Sequence, residues 1–537
     1  MKLNVTQLLL LSIIGGCLLG FSFPFTGGLF PLAFVALVPL FLINFQINEA
    51  TKGKFLLRFS MNYLYFLLFN IITTWWIYHA SEGGMYMAVF ANSILMILPF
   101  MFTGFISRQL GENKTLFALM VLWMSFEFLH FRWELSWPWL NLGHVVGDFP
   151  KLIQWYEYSG VTGGTFWILT VNVVLYIIVR NVYLKGETLK IQTPNILLVL
   201  LALLIPIVSS LGIYYSYEEE GETTNVTIVQ PNIEAHTEKF VLPEAFQLSK
   251  ILSAAETKIS AKTDLILCPE TAIPYGIIEE EIDSSESIRT LFDFSKKHGN
   301  VPLLIGADTY QFFKEKNSVA SRPTNGFWYE NYNTALMLQS NVPISIYHKS
   351  KLVLGSEKLP FISMFPFLEE YSVELGGTSG LLGIGEEPEI FEAKGVLYAP
   401  LICYESVYGD YASMFVRKGA QVLCVITNDG WWKDTPGYKQ HRMFSQIRAI
   451  ENRRAVARSA NTGISCFIDQ RGDIISELGW NEYGALEADL YINDEITFFT
   501  KYGDFIGRVS CYLALAMLLY ALVERLKKTG IWSKKEL

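Results

Sequence analysis

Long apolar runs constrain this chain more than any other feature of its sequence. A helix must cover about 30 Å of hydrocarbon to cross a bilayer. Runs of suitable length predict transmembrane helices at residues 5–21, 28–47, 55–78, 85–107, 115–131, 163–183, 195–215 and 506–524. A chain with these segments is not a wholly soluble protein.

The composition narrows the class of protein further. Of the 537 residues, 51% are hydrophobic, 15% aromatic and only 17% charged, which excludes intrinsic disorder. The net charge of -9 argues against a nucleic-acid partner, because phosphates require a basic surface. Six cysteines are too few and too scattered for a disulfide scaffold.

The apolar runs shorten between residues 218 and 504, where charged and turn residues become frequent. We therefore predict a membrane domain at 1–217, a soluble domain at 218–504, and a last helix with a basic tail at 505–537. Lys and Arg favour cytoplasmic loops. If the N-terminus is inside, the inner segments hold Lys2, Lys52, Lys54, Arg58, Arg108, Lys114, Arg180, Lys185, Lys190, Arg525, Lys527, Lys528, Lys534 and Lys535. The outer short loops hold only Arg132 and Lys151, so the soluble domain is predicted to lie outside the cytoplasm.

Two N-terminal features allow more than one interpretation. Residues 132–160 are rich in Trp, Tyr and Gly, which suits a re-entrant or interfacial loop, or an aromatic belt that anchors helices. Cys17 follows Ile14, Gly15 and Gly16 in a weak lipoprotein signal pattern. Because apolar residues continue past Cys17, we expect the first helix to be retained.

Short β-rich runs alternate with helical patterns in the soluble domain. Strands are predicted at residues 225–229, 264–268, 302–307, 334–339, 344–348, 396–403, 422–427 and 464–468. Helices are predicted at 244–261, 286–298, 406–418 and 438–453. This alternation predicts a layered α/β domain with ligands at the strand ends.

Glu270 follows the first of three strand ends that carry reactive groups. Pro269 cannot continue a central strand, so Glu270 lies just past the end of its strand. A carboxylate shielded from water there can act as a general base. A solvated loop glutamate is the alternative.

Two lysines, Lys349 and Lys351, follow the second strand end. A fixed ammonium there can stabilise a developing oxyanion. Residues two apart face the same side of an extended strand, so spacing does not choose between them. A solvated edge strand, with neither lysine functional, is the alternative.

Cys403 ends the third strand, just before a predicted helix. Helix amide dipoles stabilise a thiolate, so Cys403 is a candidate nucleophile. A buried structural cysteine is the alternative. The remaining cysteines lie within predicted strands or membrane spans and are interpreted as packing residues: Cys268, Cys424, Cys466, Cys17 and Cys511. No HExxH, CxxC or glycine-rich phosphate motif occurs, so no metal or other cofactor is predicted.

The order of Glu, Lys and Cys resembles the nitrilase, or carbon-nitrogen hydrolase, superfamily. The motifs are PET at Glu270, ICYE at Cys403 and TND at residues 427–429. With its membrane segments, almost the whole chain resembles the apolipoprotein N-acyltransferase family. Further matches are 229–233, 427–432, 440–441 and 460–463. The resemblance implies a membrane helical bundle of about eight helices plus a nitrilase-like αββα sandwich.

By position, the resemblance makes Glu270 the base, Lys349 the oxyanion-stabilising lysine and Cys403 the acylated nucleophile. It adds Glu357 as an accessory carboxylate, with Tyr404 and Glu405 supporting the cysteine. There is one departure: the family commonly has Pro-Phe-Gly before this glutamate, whereas residues 354–356 are Leu-Gly-Ser. The shape of that loop is therefore open.

The implied activity moves a fatty acyl chain from a phospholipid, through a Cys403 thioester, to the α-amine of the diacylglyceryl-modified N-terminal cysteine of an apolipoprotein. The implied location is the bacterial inner membrane. A membrane-anchored amidase or nitrilase and a non-enzymatic scaffold are the alternatives. We expect a substrate-binding role for Asn428 and a lid that contacts lipid, formed from some of the apolar residues Trp431, Trp432, Met364, Phe365, Trp137 and Trp139. Packing of these aromatics in the core is the alternative.

Overall fold

The computed structural model describes residues 3–47, 54–365, 367 and 380–528, which form two compact units. The first unit comprises Met1–Trp75, Met85–Ile213 and Asp504–Leu537, and the second comprises Trp76–Gly84 and Tyr214–Gly503. Several residues used in the charge argument, namely Lys2, Lys52, Lys534 and Lys535, lie outside the described residues, as does most of the predicted basic tail. So does residue 366 of the predicted lid segment.

Helices build the first unit. They are α1 (Val5–Ser22), α2 (Ala33–Gln46), α3 (Lys54–Thr74), α4 (Glu82–Met101), α5 (Thr103–Leu110), α6 (Glu112–His130), α7 (Tyr156–Val179), α8 (Thr193–Ser216) and a C-terminal helix (Phe505–Lys528). Each predicted transmembrane segment therefore contains a helix, although the helices do not begin and end at all the predicted bounds.

Within the described residues, six helical segments are long and apolar enough to cross a membrane. They are Val5–Ser22, Lys54–His79, Glu82–Leu110, Tyr156–Leu184, Thr193–Ser216 and Phe505–Lys528. The apolar segment Phe30–Gln46 is shorter. A membrane protein with several spanning helices is confirmed, whereas the predicted count of about eight is not.

The aromatic loop between α6 and α7 folds into short 3-10 turns at Pro138–Leu140, Leu142–Val146 and Pro150–Leu152. Glu127 of α6 fixes it, because its carboxylate accepts the Leu142 backbone N–H at 2.9 Å and the hydroxyl of Thr165 in α7 at 2.6 Å. Trp137 stacks on the buried Trp139 with 5.8 Å between ring centroids. The loop is thus packed within the helical unit, and its position relative to a membrane stays a prediction.

Two sheets form the core of the second unit. The strands are β1 (Thr223–Gln230), β2 (Leu265–Leu267), β3 (Ile273–Ile278), β4 (Leu303–Phe313), β5 (Arg322–Thr324), β6 (Phe327–Leu338), β7 (Ser345–His348), β8 (Phe391–Ala393), β9 (Val396–Ile402), β10 (Val422–Thr427), β11 (Ala455–Ala460), β12 (Ser465–Ile468), β13 (Ile474–Leu478) and β14 (Gly484–Tyr491). One sheet has the order β14-β1-β2-β4-β6-β5, with β3 paired to β4 and β7 to β6. The other has the order β13-β12-β11-β10-β9-β8.

Helices cover the outer faces of both sheets. The helices of this unit are α9 (Glu244–Glu256), α10 (Glu286–Lys297), α11 (Gly409–Arg417), α12 (Pro436–Asn452) and α13 (Phe498–Tyr502). The pair α9 and α10 shares an apolar core with the eight-stranded sheet, while α11 and α12 pack on the six-stranded one. Between the sheets, β1 packs on β11, and the hydroxyls of Thr224 and Tyr398 lie 2.6 Å apart. The predicted αββα sandwich is confirmed.

The predicted strands and helices of this unit are all present, but six strands were not predicted. These are β3, β5, β8, β11, β13 and β14. The strand β11 escaped because it contains Arg458 and Ser459, which are polar but fully buried. The helix predicted from residue 406 begins only at Gly409, because Cys403–Val407 forms a 3-10 turn.

Candidate active site

Loops that follow β2 and β7 bring Glu270 and Lys349 together. The Lys349 Nζ atom lies 3.2 Å from Glu270 Oε1, and both side chains are buried. Cys403 directly follows β9 of the opposite sheet and interacts electrostatically with both. The structure therefore brings the three predicted strand-end residues into one site, as strand ends of a layered α/β domain permit.

Besides Lys349, two hydrogen-bond donors and one closely packed glycine position Glu270. The side-chain amide of Asn333 donates to Glu270 Oε1 at 2.8 Å, and the backbone N–H of Asn428 donates to Oε2 at 2.9 Å. Gly306 of β4 lets the loop approach, since a Cβ there would lie 2.6 Å from the Glu270 Cα atom. Both carboxylate oxygens are thus held in fixed directions.

Lys349 sits between two carboxylates. It is 1% exposed, and its Nζ donates to Glu357 Oε1 at 2.8 Å as well as to Glu270. Burial by itself lowers the pKa of Lys349, but Glu357 and Glu270 together hold that pKa above its ordinary value. The side chain is a permanent ammonium, which suits stabilisation of an oxyanion.

The Lys351 side chain lies near two tyrosine rings. Its Nζ lies 4.9 Å from the centroid of the Tyr411 ring and 5.8 Å from that of Tyr408. The spacing of the two lysines left both open, and the structure places Lys349, not Lys351, against Glu270.

Glu357 keeps its position although the residues before it depart from the family pattern. Its Oε2 accepts the Val353 backbone N–H at 2.7 Å, and its Oε1 also accepts the Asn333 amide at 3.2 Å. Asn333 therefore bridges the two carboxylates that flank Lys349. A tight turn thus orients the Glu357 carboxylate.

Cys403 occupies a backbone conformation that is rare for a residue with a side chain, with φ of 49°. Burial raises the pKa of its thiol well above the ordinary value, Glu270 adds to the rise, and Lys349 opposes it. The α-helix begins six residues later, at Gly409. The predicted α-helix start is therefore not at Cys403, and the raised pKa of the thiol runs against the expected stabilisation of a thiolate by helix dipoles.

Glu405 ties the cysteine turn to the strand that carries the lysine. Its Oε2 accepts the Ile402 N–H at 2.8 Å, while its Oε1 accepts the Tyr347 hydroxyl at 2.6 Å and the Ser350 N–H at 2.7 Å. Burial raises the pKa of Glu405 to about 7, although these hydrogen bonds act in the opposite direction. The residue beside it, Tyr404, is buried.

A buried charged cluster behind Cys403 was not predicted as part of the site. His441 Nε2 lies 3.1 Å from the Cys403 carbonyl oxygen, and His441 Nδ1 lies 2.8 Å from Asp429 Oδ1. Asp429 also accepts from Arg458 at 2.8 Å. Burial raises the pKa of Asp429, but Arg458 and His441 lower it below its ordinary value. In the sequence, the TND motif and Gln440-His441 were the features that could have identified this cluster.

The residues proposed to contact lipid lie in two environments. Trp431 and Trp432 belong to a 3-10 turn rather than a strand, and they diverge. Trp431 stacks on Phe240, while Trp432 lies edge-on to Trp76 and to His441. By contrast, Met364 is 68% exposed and Phe365 is 44% exposed, so these two remain available for an apolar partner. Trp137 and Trp139 pack on each other in the helical unit.

Three polar residues near Glu270 also escaped sequence analysis. Asn333 lies in the middle of β6, directly opposite Asp308 of β4. Lys239 lies in the loop after β1 and donates to the Glu270 carbonyl oxygen at 3.2 Å. All three are almost fully buried. For Asn333 and Asp308, the only sequence signal was a polar residue within a strand.

Family models and individual relatives show which known proteins this chain is similar to. The carbon-nitrogen hydrolase family model matches residues 225–496, and that of the apolipoprotein N-acyltransferase N-terminal domain matches residues 15–174. An apolipoprotein N-acyltransferase of Chlorobaculum tepidum is 31% identical over 96% of this chain and 96% of its own length. Those of Geobacter metallireducens and Haemophilus influenzae are 26% identical over 92% and 27% identical over 87% of this chain, covering 91% and 86% of their own lengths.

The close approach at Gly306 yields a first prediction. We expect Gly306→Ala to displace the loop that carries Glu270 and to slow alkylation of Cys403 by iodoacetamide at least about tenfold. Gly484→Ala is the matched control, because a Cβ there would meet only ordinary contacts at 3.8 Å. Mass spectrometry of the Cys403 peptide measures both rates. Equal rates for the two variants would contradict the positioning of Glu270 by this glycine.

Proposed function

The chain belongs to the apolipoprotein N-acyltransferase family, and from this premise we propose that it N-acylates bacterial lipoproteins through a thioester on Cys403. It is a membrane acyltransferase with lipid and lipoprotein substrates. The observation that carries the proposed mechanism is a buried cysteine facing a carboxylate and an ammonium, Glu270 and Lys349, in a chain with several membrane helices.

In the proposed first half-reaction, Glu270 takes the Cys403 proton as the sulfur attacks an ester carbonyl of a phospholipid. Negative charge develops on the carbonyl oxygen, and the Lys349 ammonium stabilises it. When the intermediate collapses, the lysophospholipid oxygen leaves with the proton that Glu270 received. An acyl thioester remains on Cys403.

In the second half-reaction, the α-amine of the diacylglyceryl-modified N-terminal cysteine attacks this thioester. Glu270 accepts the amine proton and returns it to the departing sulfur, so the triad ends in its starting state. The amide bond forms only after the first lipid product has left. One cleft can therefore serve two bulky lipid substrates in turn.

A mass measurement tests the thioester. The full-length protein incubated with phospholipid alone should gain the mass of one acyl chain, on the Cys403 peptide. Adding a diacylglyceryl lipopeptide should remove the adduct and yield an amide. Release of free fatty acid without amide formation would instead favour an amidase-like hydrolase, and an absent adduct would overturn the thioester.

Substitutions test the roles within the triad. Cys403→Ala should abolish the adduct, and Glu270→Gln should slow its formation at least about a hundredfold, because the general base is lost. Lys349→Met should slow acylation by removing the oxyanion charge. Lys351→Met is the matched control and should be nearly silent. Damage from Lys351→Met with a silent Lys349→Met would reverse the assignment.

We propose that the segment with Met364 and Phe365 is part of a lid that contacts acyl chains in the outer leaflet. Its support is the exposure of both side chains. Replacing both with serine should slow acylation by long-chain phospholipid but spare Cys403 alkylation by iodoacetamide. Equal loss of both rates would mean that the segment only maintains the fold.

The soluble unit is proposed to lie on the outer face of the bacterial inner membrane, as the charges of the short loops indicate. A protease added to intact spheroplasts should then cleave within residues 218–504. A cytoplasmic loop, such as the one around Lys185, should resist cleavage until lysis. Protection of both regions before lysis would overturn this topology.

A further inference from the structure

Lys239 is a second buried lysine beside the general base, and the mechanism above gives it no task. It is 2% exposed, in the loop between β1 and α9, and its Nζ donates to the Glu270 backbone oxygen at 3.2 Å. Burying an ammonium is costly unless nearby groups compensate its charge. The carboxylate of Glu270, the proposed base, supplies the nearest compensation.

The charges around Glu270 do not balance without this lysine. Lys349 is a single ammonium held between two carboxylates, those of Glu270 and Glu357. Burial raises the pKa of Asp308 well above its ordinary value; Lys239 opposes the rise, while Glu270 and Glu357 add to it. Lys239 supplies a second positive charge next to the two carboxylates that Lys349 contacts.

Local geometry gives the same lysine a mechanical role. Thr271, the residue after Glu270, has a positive φ of 51°, which is rare for a non-glycine residue. The backbone is therefore strained at Thr271, directly after the Glu270 carbonyl group that accepts the hydrogen bond from Lys239. The backbone of Lys239 is itself fixed, because the side-chain amide of Gln247 in α9 donates to the Lys239 carbonyl oxygen at 2.7 Å.

We propose that Lys239 is a positioning residue for catalysis: its ammonium fixes the backbone of Glu270 and balances the charge of the two carboxylates that flank Lys349. The titratable groups that face it are Glu270 and Asp308. Removing this cation makes negative charge harder to develop at the thiol and its base. The inference rests on the proposed function, in which Glu270 is the base.

The test follows Cys403 alkylation by iodoacetamide as a function of pH, in the full-length protein in detergent. With Lys239→Met, the midpoint of the pH profile should rise by about one unit, and the rate at pH 7 should fall about tenfold. Lys250→Met is the matched control. Lys250 also donates to a backbone carbonyl, that of Asn232 at 3.0 Å, but contacts no carboxylate of the site. Its profile should match the unmodified protein.

Two further variants distinguish the proposed role of the charge from a purely structural role of Lys239. Lys239→Gln keeps an N–H donor but loses the charge, so it should raise the midpoint of the pH profile by about one unit. It provides the test if Lys239→Met does not fold. The double variant Lys239→Met with Asp308→Asn should remain shifted, because the charge balances Glu270 and Glu357 rather than Asp308. An unshifted midpoint in Lys239→Gln, or a restored one in the double variant, would overturn the proposal. Alkylation requires no lipid, so a missing acyl adduct in the unmodified protein would reject the proposed function separately.

Discussion

The buried ammonium of Lys349 is the interaction on which the rest of the catalytic unit depends. A charge that is 1% exposed is tolerable only if carboxylates and hydrogen bonds replace its lost hydration. Glu270 and Glu357 supply that replacement at 3.2 and 2.8 Å. They in turn need Asn333, which donates to both. Removing one member would leave an uncompensated charge in the core, so the cluster holds as a unit.

The two-sheet architecture is what makes this cluster possible. Glu270, Asn333 and Lys349 come from the eight-stranded sheet, whereas Cys403 and Asn428 come from the six-stranded one. Glu405 joins the sheets, since its two oxygens accept from Ile402 on one side and from Tyr347 and Ser350 on the other. One buried carboxylate, that of Glu405, therefore links the turn of Cys403 to the strand that precedes Lys349.

Sequence patterns predicted a layered α/β domain and the strand-end positions of Glu270 and Cys403, because strand ends are visible as apolar runs closed by turn residues. The αββα sandwich was implied by the family resemblance. They did not separate Lys349 from Lys351, since residues two apart share a face of a strand and only tertiary packing distinguishes them. Glu357 entered through family resemblance alone. Asn333 was missed because the sequence shows only a polar residue within a strand. Its importance depends on contacts with Glu270 and Glu357, which only the folded structure reveals.

In the proposed mechanism, burial of Cys403 gives the base and the lysine their separate tasks. Burial raises the pKa of the Cys403 thiol, which runs against the thiolate stabilisation expected from helix dipoles. The same burial restricts water, which is the competing acceptor of an acyl thioester. A hydrolase needs water at the acyl carbonyl carbon, whereas an acyltransferase gains from keeping water away from it until the amine arrives. In this proposal, Glu270 as proton acceptor and Lys349 as fixed positive charge offset the reduced acidity of the thiol.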